Sequence, residues 1–350
     1  MSLLLTNVVT YITVDSTKTG VGKYAKDLYT LMSPQSEIVQ FIFNYVYADN
    51  FYKHPYTGYK SPLLNYTLSR LAFRAGINSI NESTDIIHIT SQTIKPIFNN
   101  PNSVVTIHDA IAFDKKIYNA RGIQKLNRFV MKHYLKEYLA YDNIITVSDH
   151  VKNQLITKLN AKEENISVIP PYVSANFFHL ENKNSLRNEL GLPLNKKLIL
   201  SISSNNPRKN LSMINRIMAN LDDSYQLVRV GPQIGNSITF NNVDEITINK
   251  IYNACDVLLF PTLEEGFGYP VVEAFKTGLP VISSDIDILK EISNGAALLV
   301  NPEELSENVE GISKILDNSE YYVKKGYERA KCYSGEVIKK ILISYYNSLK

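Results

Sequence analysis

Residues 261–285 (PTLEEGFGYPVVEAFKTGLPVISSD) restrict the fold most, because their order of residue types is typical of a parallel strand–helix–strand unit. The apolar run 257–260 before them is short enough for a buried parallel strand. The loop 264–268 contains two glycines, Pro270 suits the first turn of a helix, and Gly278 ends that helix. In an open α/β sheet such a loop lies at the carboxyl end of a strand, where ligands bind. The sequence therefore predicts a ligand site here.

The residue types in this loop indicate which ligand it binds. Gly266 and Gly268 let the backbone approach a ligand, and the first N–H groups of the helix form an anion site. Glu265 precedes those donors and Glu273 lies roughly one turn inside the helix, so both can face one crevice. Carboxylates repel phosphate but accept hydrogen bonds from hydroxyls. This favours a sugar nucleotide, with Glu265 at the sugar and Glu273 at the ribose; a buried unit with two solvated glutamates is the alternative.

Length and charge limit the function classes. A chain of 350 residues is enough for roughly two domains, and 44% apolar with 20% charged residues is ordinary for a globular protein. A formal net charge of +3 is too small to indicate a nucleic-acid partner. Cys255 and Cys332 make no disulfide framework, so we expect a cytoplasmic protein. No apolar run reaches the roughly 18 residues of a transmembrane helix, and the first residues lack the basic start of an export signal.

A second glycine-containing loop, 17–23 (TKTGVGK), follows the first predicted strand. Gly20 and Gly22 suit an anion-binding turn, and we predict that they face a phosphate. The loop is superficially similar to the phosphate-binding loop of ATPases. That motif requires Ser or Thr after the lysine to hold magnesium, whereas Tyr24 stands there in this chain. A nucleotide-dependent binding module built on this loop is therefore only an alternative.

Two histidines lie at or near the carboxyl ends of predicted strands, 85–89 and 104–109. His108 is followed at once by Asp109 and a turn, which favours a position at the ligand-binding edge of the sheet. For His88, near the end of its strand, we expect a structural role.

Arg208 and Lys209 lie in the loop between a predicted strand, 197–202, and the next helix. Arginine can donate two parallel hydrogen bonds to phosphate oxygens, and lysine adds a point charge. We therefore expect both residues to bind a diphosphate.

The predicted helix 121–141 carries a basic stripe, because five basic residues recur at spacings of four, three, four and four. Such a stripe is usually a solvated face. The alternative is docking to anionic lipid, since basic amphipathic helices bind membrane surfaces. The five residues are Arg121, Lys125, Arg128, Lys132 and Lys136.

Together these motifs make the chain resemble the retaining GT-B glycosyltransferases of glycosyltransferase family 4, in particular the mannosyltransferase-like group. The central feature is an E-x7-E pattern formed by Glu265 and Glu273, and the matches cover nearly the whole chain. In chain order, the other matching stretches are 105–109 (VTIHD), 144–148 (IITVS), 168–170 (VIP), 207–211 (PRKNL), 252–256 (YNACD) and 277–285 (TGLPVISSD).

The resemblance implies an α/β fold with two Rossmann-like domains facing each other across a cleft. Residues 1–172 would form the acceptor-side domain and 194–330 the nucleotide-sugar-binding domain, with 173–193 as the linker. The last helix, in 331–350, would cross back and pack on the N-terminal domain.

The resemblance also implies a role for each site residue. Glu265 and the N–H groups of Gly266, Phe267 and Gly268 would hold the transferred sugar, and Glu273 the ribose. By the same resemblance, Arg208 and Lys209 would hold the diphosphate, and His108 would approach the reacting sugar. Asp109 would bind substrate, and Gly20 and Gly22 would lie near the phosphates. The chain departs from the pattern at Ser203-Ser204, where many relatives have a Gly-Arg pair.

The expected activity is transfer of a hexose from GDP-mannose or UDP-glucose to a glycan, lipid or other hydroxyl acceptor, with retention and without a metal or other cofactor. Asp285 and Asp287 form a D-x-D sequence after an apolar strand, which is the metal-binding signature of GT-A glycosyltransferases. A metal-dependent transferase using these two residues is the alternative within the enzyme class.

Overall fold

The computed structural model describes residues 9–13, 19–33, 36–42, 45–48, 85–93, 102–113 and 123–349. Their contacts divide the chain into two compact units. The first comprises Met1–Tyr172 and Gly335–Lys350, and the second comprises Val173–Ser334. Each unit contains its own largely parallel sheet with helices, so the predicted α/β class is confirmed.

The first unit has strands in the order β3-β2-β1-β4-β5-β6-β7, and every neighbouring pair is parallel except β2 and β3. Its strands β1 to β7 are Val9–Thr13, Ser36–Ile42, Tyr45–Ala48, Ile86–Ile89, Ser103–Ile107, Asn143–Thr146 and Ile166–Val168. Before residue 172, the helices in the described ranges are α1 (Gly20–Met32), α2 (Ile123–Tyr138) and α3 (Asp149–Leu159).

The second unit has six parallel strands in the order β10-β9-β8-β11-β12-β13. Strands β8 to β13 are Lys197–Ile202, Tyr225–Val230, Ile238–Phe240, Val257–Phe260, Val281–Ser284 and Leu298–Val300. Helices α4 to α10 are Lys183–Glu189, Leu211–Ala219, Glu245–Ala254, Tyr269–Thr277, Asp287–Ser293, Leu305–Asp317 and Ser319–Ala330, and α11 (Gly335–Ser348) returns to the first unit.

Several predicted elements are confirmed with boundaries shifted by a few residues. The largely apolar stretch 38–47, taken by itself, would predict one strand, but the structure differs. It contains parts of two antiparallel strands, with Ile42 opposite Tyr45. Apolar periodicity alone does not reveal the reversal, although Asn44 in the sequence between the strands is a common turn residue.

The predicted linker segment, 173–193, packs within the second unit. Arg187, on α4, donates to the carbonyl of Ala254 at 2.9 Å and to Asp256 Oδ2 at 2.7 Å. Lys276 Nζ donates to the carbonyl of Val173 at 2.8 Å. These polar contacts account for the position of the segment, although its sequence reads as irregular.

Helix α11 is held in the first unit by a buried polar network as well as by apolar packing. His88 Nδ1 lies 2.6 Å from the hydroxyl of Tyr346 on α11, and His88 Nε2 lies 2.7 Å from Thr106 Oγ1. The Tyr346 hydroxyl donates to the hydroxyl of Tyr11 at 3.3 Å. His88 is fully buried and links two strands to the last helix, which is a structural role.

We expect His88 to make folding sensitive to acid. Burial lowers the pKa of His88 from 6.5 to about 3, so the unfolded chain binds a proton that the folded chain does not. Stability should therefore fall as pH drops below about 6.5 towards 3, by at most roughly 1.4 kcal/mol per pH unit. In His88→Gln, which does not titrate, the loss between pH 7 and pH 4 should be smaller.

Urea unfolding followed by circular dichroism at several pH values measures this difference. His133→Gln is the control, because the His133 side chain is 61% exposed. If His88→Gln loses as much stability in acid as the wild type, His88 is not the group responsible.

Candidate functional site

The predicted ligand loop lies at the switch point of the second sheet. Strand β8 pairs with β9 on one side and with β11 on the other. Strands β9 and β10 therefore lie on one side of β8, and β11 to β13 lie on the other. The loops that follow β8 and β11 therefore start next to each other at the carboxyl edge of the sheet, where open α/β sheets bind ligands. Arg208 and Lys209 follow the first strand, and Glu265 follows the second.

Glu265 joins these two loops through a buried ion cluster. Arg208 Nη1 donates to Glu265 Oε2 at 2.7 Å and to the carbonyl of Glu264 at 2.8 Å. Lys209 Nζ and the hydroxyl of Thr262 both donate to Glu265 Oε1. Burial alone would raise the pKa of Glu265, but the charges and hydrogen bonds of Lys209 and Arg208 outweigh it and hold that pKa below its ordinary value. The carboxylate is therefore ionised at neutral pH.

The backbone fixes Arg208 and Lys209 in place. Both lie in a short 3-10 helix, Pro207–Lys209, which Asn206 caps by accepting the N–H of Arg208 at 3.1 Å. The carbonyl of Arg208 accepts from Leu263 N at 2.7 Å, and it shares the single hydroxyl proton of Thr262, at 3.0 Å, with Glu265 Oε1, at 3.1 Å. The loop after β11 is thus hydrogen-bonded to the loop after β8 at both backbone and side-chain level.

Glu273 occupies a separate buried pair on α7. The hydroxyl of Tyr252, on α6, donates to Glu273 Oε2 at 2.7 Å, and both residues are buried. Burial raises the pKa of Tyr252 well above its ordinary value, and the nearby Glu273 adds to the rise. Tyr252 therefore remains a hydrogen-bond donor and orients the carboxylate at neutral pH.

The loop between β11 and α7 has the backbone that its glycines predict. Gly268 caps α7 with φ +98° and ψ 51°, in the left-handed region that glycine adopts most readily. A Cβ at this position would lie 3.1 Å from Leu289 Cδ2. Gly266 is half-buried, whereas Phe267 is buried, with its ring edge-on to Tyr333 at 5.4 Å. Phe267 thus packs into the second unit, and its side chain is an anchor for the loop.

In the first unit, His108 is fixed by its surroundings. Its Nε2 lies 2.8 Å from the carbonyl of Thr90, which can only accept, so Nε2 carries the proton. The side chain of Gln92 accepts the N–H of His108 at 2.6 Å and donates to the carbonyl of Asp109 at 2.9 Å. Asp109 Oδ1 accepts the N–H of Ile111, the first residue of a short 3-10 helix, at 3.2 Å.

Gly20 and Gly22 lie in the first turn of α1. Thr19 caps this helix by accepting the N–H of Gly22 at 3.1 Å. Gly20 is exposed, and a Cβ there would meet no atom within 4 Å. Thr19 thus occupies one of the N–H groups that an anion-binding turn would offer to a ligand. The spacing of the glycines does not predict this cap.

The D-x-D residues lie at the start of α8. Asp285 Oδ1 forms an ion pair with Lys290 Nζ at 2.9 Å, and Asp287 is the first residue of the helix. In the described ranges, we find no group of three or more His, Cys, Asp or Glu side chains with the geometry to hold a metal ion.

Three residues of these networks were not predicted as site residues from the sequence: Thr262, Tyr252 and Gln92. Tyr252 lies within the stretch 252–256, which contributes to the family resemblance, but the pattern does not identify its partner. Gln92 comes three residues after β4 ends, and its position near a strand end is the one signal that points to it. Thr262 follows β11 in the same way.

The two halves of the chain match different glycosyltransferase models. Residues 27–177 match the model described as Glycosyltransferase Family 4, and residues 182–331 match the model described as Glycosyl transferases group 1. None of the helices in the described ranges is sufficiently long and apolar to span a membrane.

Curated relatives include several mannosyltransferases. The chain is 28% identical over 320 residues to the O-antigen chain mannosyltransferase RfbU of Salmonella typhimurium, covering 82% of this chain and 84% of that protein. It is 26% identical over 264 residues to the serotype-specific mannosyltransferase WbdA of Escherichia coli, covering 67% of this chain and 32% of that longer protein.

Solved structures show the same fold. The sucrose-phosphate synthase of Thermosynechococcus elongatus aligns with a TM-score of 0.76 at 18% identity, covering 97% of this chain and 98% of that one. WaaG, a glycosyltransferase involved in lipopolysaccharide biosynthesis, aligns with a TM-score of 0.73 at 13% identity, covering 97% of this chain and all of that one (100%).

Proposed function

The chain belongs to the glycosyltransferases of family 4 and group 1, and on this basis we propose that it transfers a hexose from a nucleoside diphosphate sugar to a hydroxyl group of a glycan or lipid-linked acceptor. The observation that supports this most is the ion cluster of Arg208, Lys209 and Glu265 at the switch point of the second sheet. It combines cations suited to phosphate with a carboxylate suited to sugar hydroxyls. We further propose that the anomeric configuration is retained.

Arg208 and Lys209 are the counter-charge for the diphosphate in this proposal. Both cations bond to Glu265 at the carboxyl edge of the sheet, and each carries several N–H donors, so anionic oxygens of the donor can accept hydrogen bonds from them alongside Glu265. Negative charge grows on the diphosphate as the sugar leaves, and fixed cations stabilise that charge without a metal. The N–H groups around Gly268 at the start of α7 add to the same positive potential.

The two glutamates have different roles in this proposal. Glu265, kept ionised by its cations, accepts hydrogen bonds from hydroxyls of the transferred sugar. Glu273 accepts from the ribose, and Tyr252 orients its carboxylate. Gly266 and Phe267 contribute backbone N–H groups on the sugar side.

Residues of the first unit are assigned to the acceptor side and the reacting sugar. His108 has its proton on Nε2, so the bond to Thr90 fixes the orientation of the ring. We propose that His108 approaches the reacting sugar, that Asp109 stabilises the turn beside it, and that Gly20 and Gly22 lie near the donor phosphates.

The first donor to test is GDP-mannose, because RfbU and WbdA are named mannosyltransferases, and UDP-glucose is the second. Each sugar nucleotide should be tested for hydrolysis and for an increase in Tm, since a ligand that binds only the folded protein stabilises it. We expect activity to persist in EDTA, because Arg208 and Lys209 supply the charge that a metal would supply. Loss of all activity in EDTA, restored by manganese, would support the metal-dependent alternative at Asp285 and Asp287.

Separate kinetic effects are expected for the two glutamates. Glu265→Gln should lower kcat by roughly 10²-fold, because a contact at the reacting centre strengthens in the transition state. Glu273→Gln should mainly raise the KM for the donor, by about 10-fold, since the ribose does not change during transfer. Steady-state kinetics with varied donor measures both effects.

Thermal melts of the same variants are the control. If both substitutions lower Tm together and leave the kinetics of the folded protein unchanged, the carboxylates are structural. The reverse pattern of kcat and KM effects would mean that the two roles are exchanged.

We also propose peripheral binding of α2 to an anionic membrane from the cytoplasmic side. Phe129, on α2, is 70% exposed. The basic stripe is not uniformly solvated, because Arg128 Nε donates to the carbonyl of Ala112 at 2.8 Å and Lys132 Nζ lies 5.0 Å from the centre of the Phe113 ring. Arg121 and the side chain of Lys125 lie outside the described residues, and Lys136 is exposed. An exposed aromatic ring beside lysines is typical of an interfacial helix.

Phe129→Ser should reduce co-sedimentation with phosphatidylglycerol-containing vesicles by about 10-fold, the scale of one buried apolar side chain. Ile246→Ser, at a residue that is 64% exposed in the second unit, is the matched control and should not change binding. Binding should weaken as salt rises from about 0.05 M to about 0.5 M. Equal recovery on neutral and anionic vesicles would leave only the solvated-face interpretation.

A further inference from the structure

Arg229, on β9, is a fully buried cation that the activity described above does not use. Its side chain reaches across to β8, where Nη1 lies 2.9 Å from Ser201 Oγ and 3.1 Å from Ser203 Oγ. Nη2 donates to the carbonyl of Ser203 at 3.0 Å, and Nε donates to the carbonyl of Pro232 at 3.3 Å. All of these acceptors lie at the carboxyl edge of the second sheet or just beyond it.

None of the acceptors of Arg229 carries a charge. Buried charges in proteins are normally paired with an opposite charge. The other buried arginine of this unit follows that rule, because Arg187 bonds to Asp256 Oδ2 at 2.7 Å. In the described part of the chain, Arg229 has no carboxylate partner. Burial lowers the pKa of Arg229 to about 10, which still leaves the guanidinium charged at neutral pH.

The contacts of Arg229 fix the first residue of the loop that leads to Arg208 and Lys209. The N–H of Ser203 donates to the carbonyl of Val230 at 3.2 Å, and both the carbonyl and the hydroxyl of Ser203 accept from Arg229. Gly231 has φ +127°, and a Cβ there would lie 2.2 Å from the carbonyl oxygen of Ser203. Strand β9 therefore holds Ser203 by its backbone and side chain at once.

Charge balance indicates what an unpaired cation at this edge is for. Arg208 and Lys209 both bond to the carboxylate of Glu265. Each of the two phosphates of a sugar nucleotide carries a negative charge. A further cation close to the same loop adds to the attraction for the diphosphate, and Arg229 is such a cation.

We propose that Arg229 is a positioning residue for the donor diphosphate: it holds Ser203 in place and supplies a buried positive charge behind the loop that binds the phosphates. This inference rests on the proposed function, because it assumes that the diphosphate binds at Arg208 and Lys209. Arg229 does not contact the ligand in this role; it acts through Ser203 and through its charge.

The test is calorimetric titration of the full chain with GDP and with UDP, together with donor kinetics. Arg229→Gln should weaken binding of the nucleoside diphosphate that the wild type prefers by roughly 10-fold, the scale of one charge acting through a partly shielded interior. The KM for the donor should rise in the same variant, since the diphosphate is bound less tightly. Arg229→Lys keeps the charge and should retain most of the affinity.

Arg187→Gln is the matched control, because it removes a buried arginine that is paired. It leaves Asp256 without that partner, so Tm should fall while affinity for the nucleoside diphosphate stays unchanged. A merely structural Arg229 would behave like this control. Unchanged affinity in Arg229→Gln, or equal losses in Arg229→Gln and Arg229→Lys, would overturn the proposal.

If Arg229→Gln does not fold, Ser203→Asp and Ser203→Asn decide the question. The aspartate would neutralise Arg229 in place, since Ser203 Oγ lies 3.1 Å from Nη1, whereas the asparagine leaves the charge unpaired. Ser203→Asp should bind the nucleoside diphosphate about 10-fold more weakly than Ser203→Asn, and equal affinities would refute the role of charge. A wild type that binds neither GDP nor UDP nor a sugar nucleotide would contradict the proposed function itself.

Discussion

The interaction on which the candidate site depends is the bonding of one buried carboxylate, Glu265, to two cations from a neighbouring loop. Burying a lone carboxylate is costly, and Arg208 and Lys209 offset that cost while keeping the group ionised. The same bonds draw the loop after β11 onto the loop after β8, together with the backbone bond from Leu263 to Arg208. Folding of the second unit and formation of the candidate site therefore use the same contacts.

Helix α7 shows how local sequence rules produce part of this arrangement. Glycines with positive φ lie at both of its ends, Gly268 at +98° and Gly278 at +75°. Pro270 favours its first turn, and apolar residues bury it against the sheet. These signals act over a few residues, so the sequence predicts the strand, the loop, the helix and the place of Glu265 and Glu273 within them. The fold class and the family follow from the same signals taken over the whole chain.

The partners of those residues could not be predicted in the same way, because they come from distant parts of the chain. Tyr252 reaches Glu273 from another helix, and Gln92 holds His108 from another strand end. The glycine spacing around Gly22 likewise does not reveal that the hydroxyl of Thr19 accepts its N–H and caps the helix. Local patterns determine secondary structure and the ends of strands, but which polar groups pair depends on how the elements pack.

The two buried arginines of the second unit show that the pairing of charges also depends on how the elements pack. Arg187 and Arg229 are both buried arginines, and the sequence around each does not show which one has a carboxylate partner. Arg187 extends from a helix to Asp256, so its charge is neutralised within the fold. Arg229 lies opposite Ser201 in the sheet register, where its neighbours along the strand edge are neutral. A fold that neutralises one buried cation and gives the other only neutral acceptors keeps a fixed positive charge beside its candidate phosphate loop.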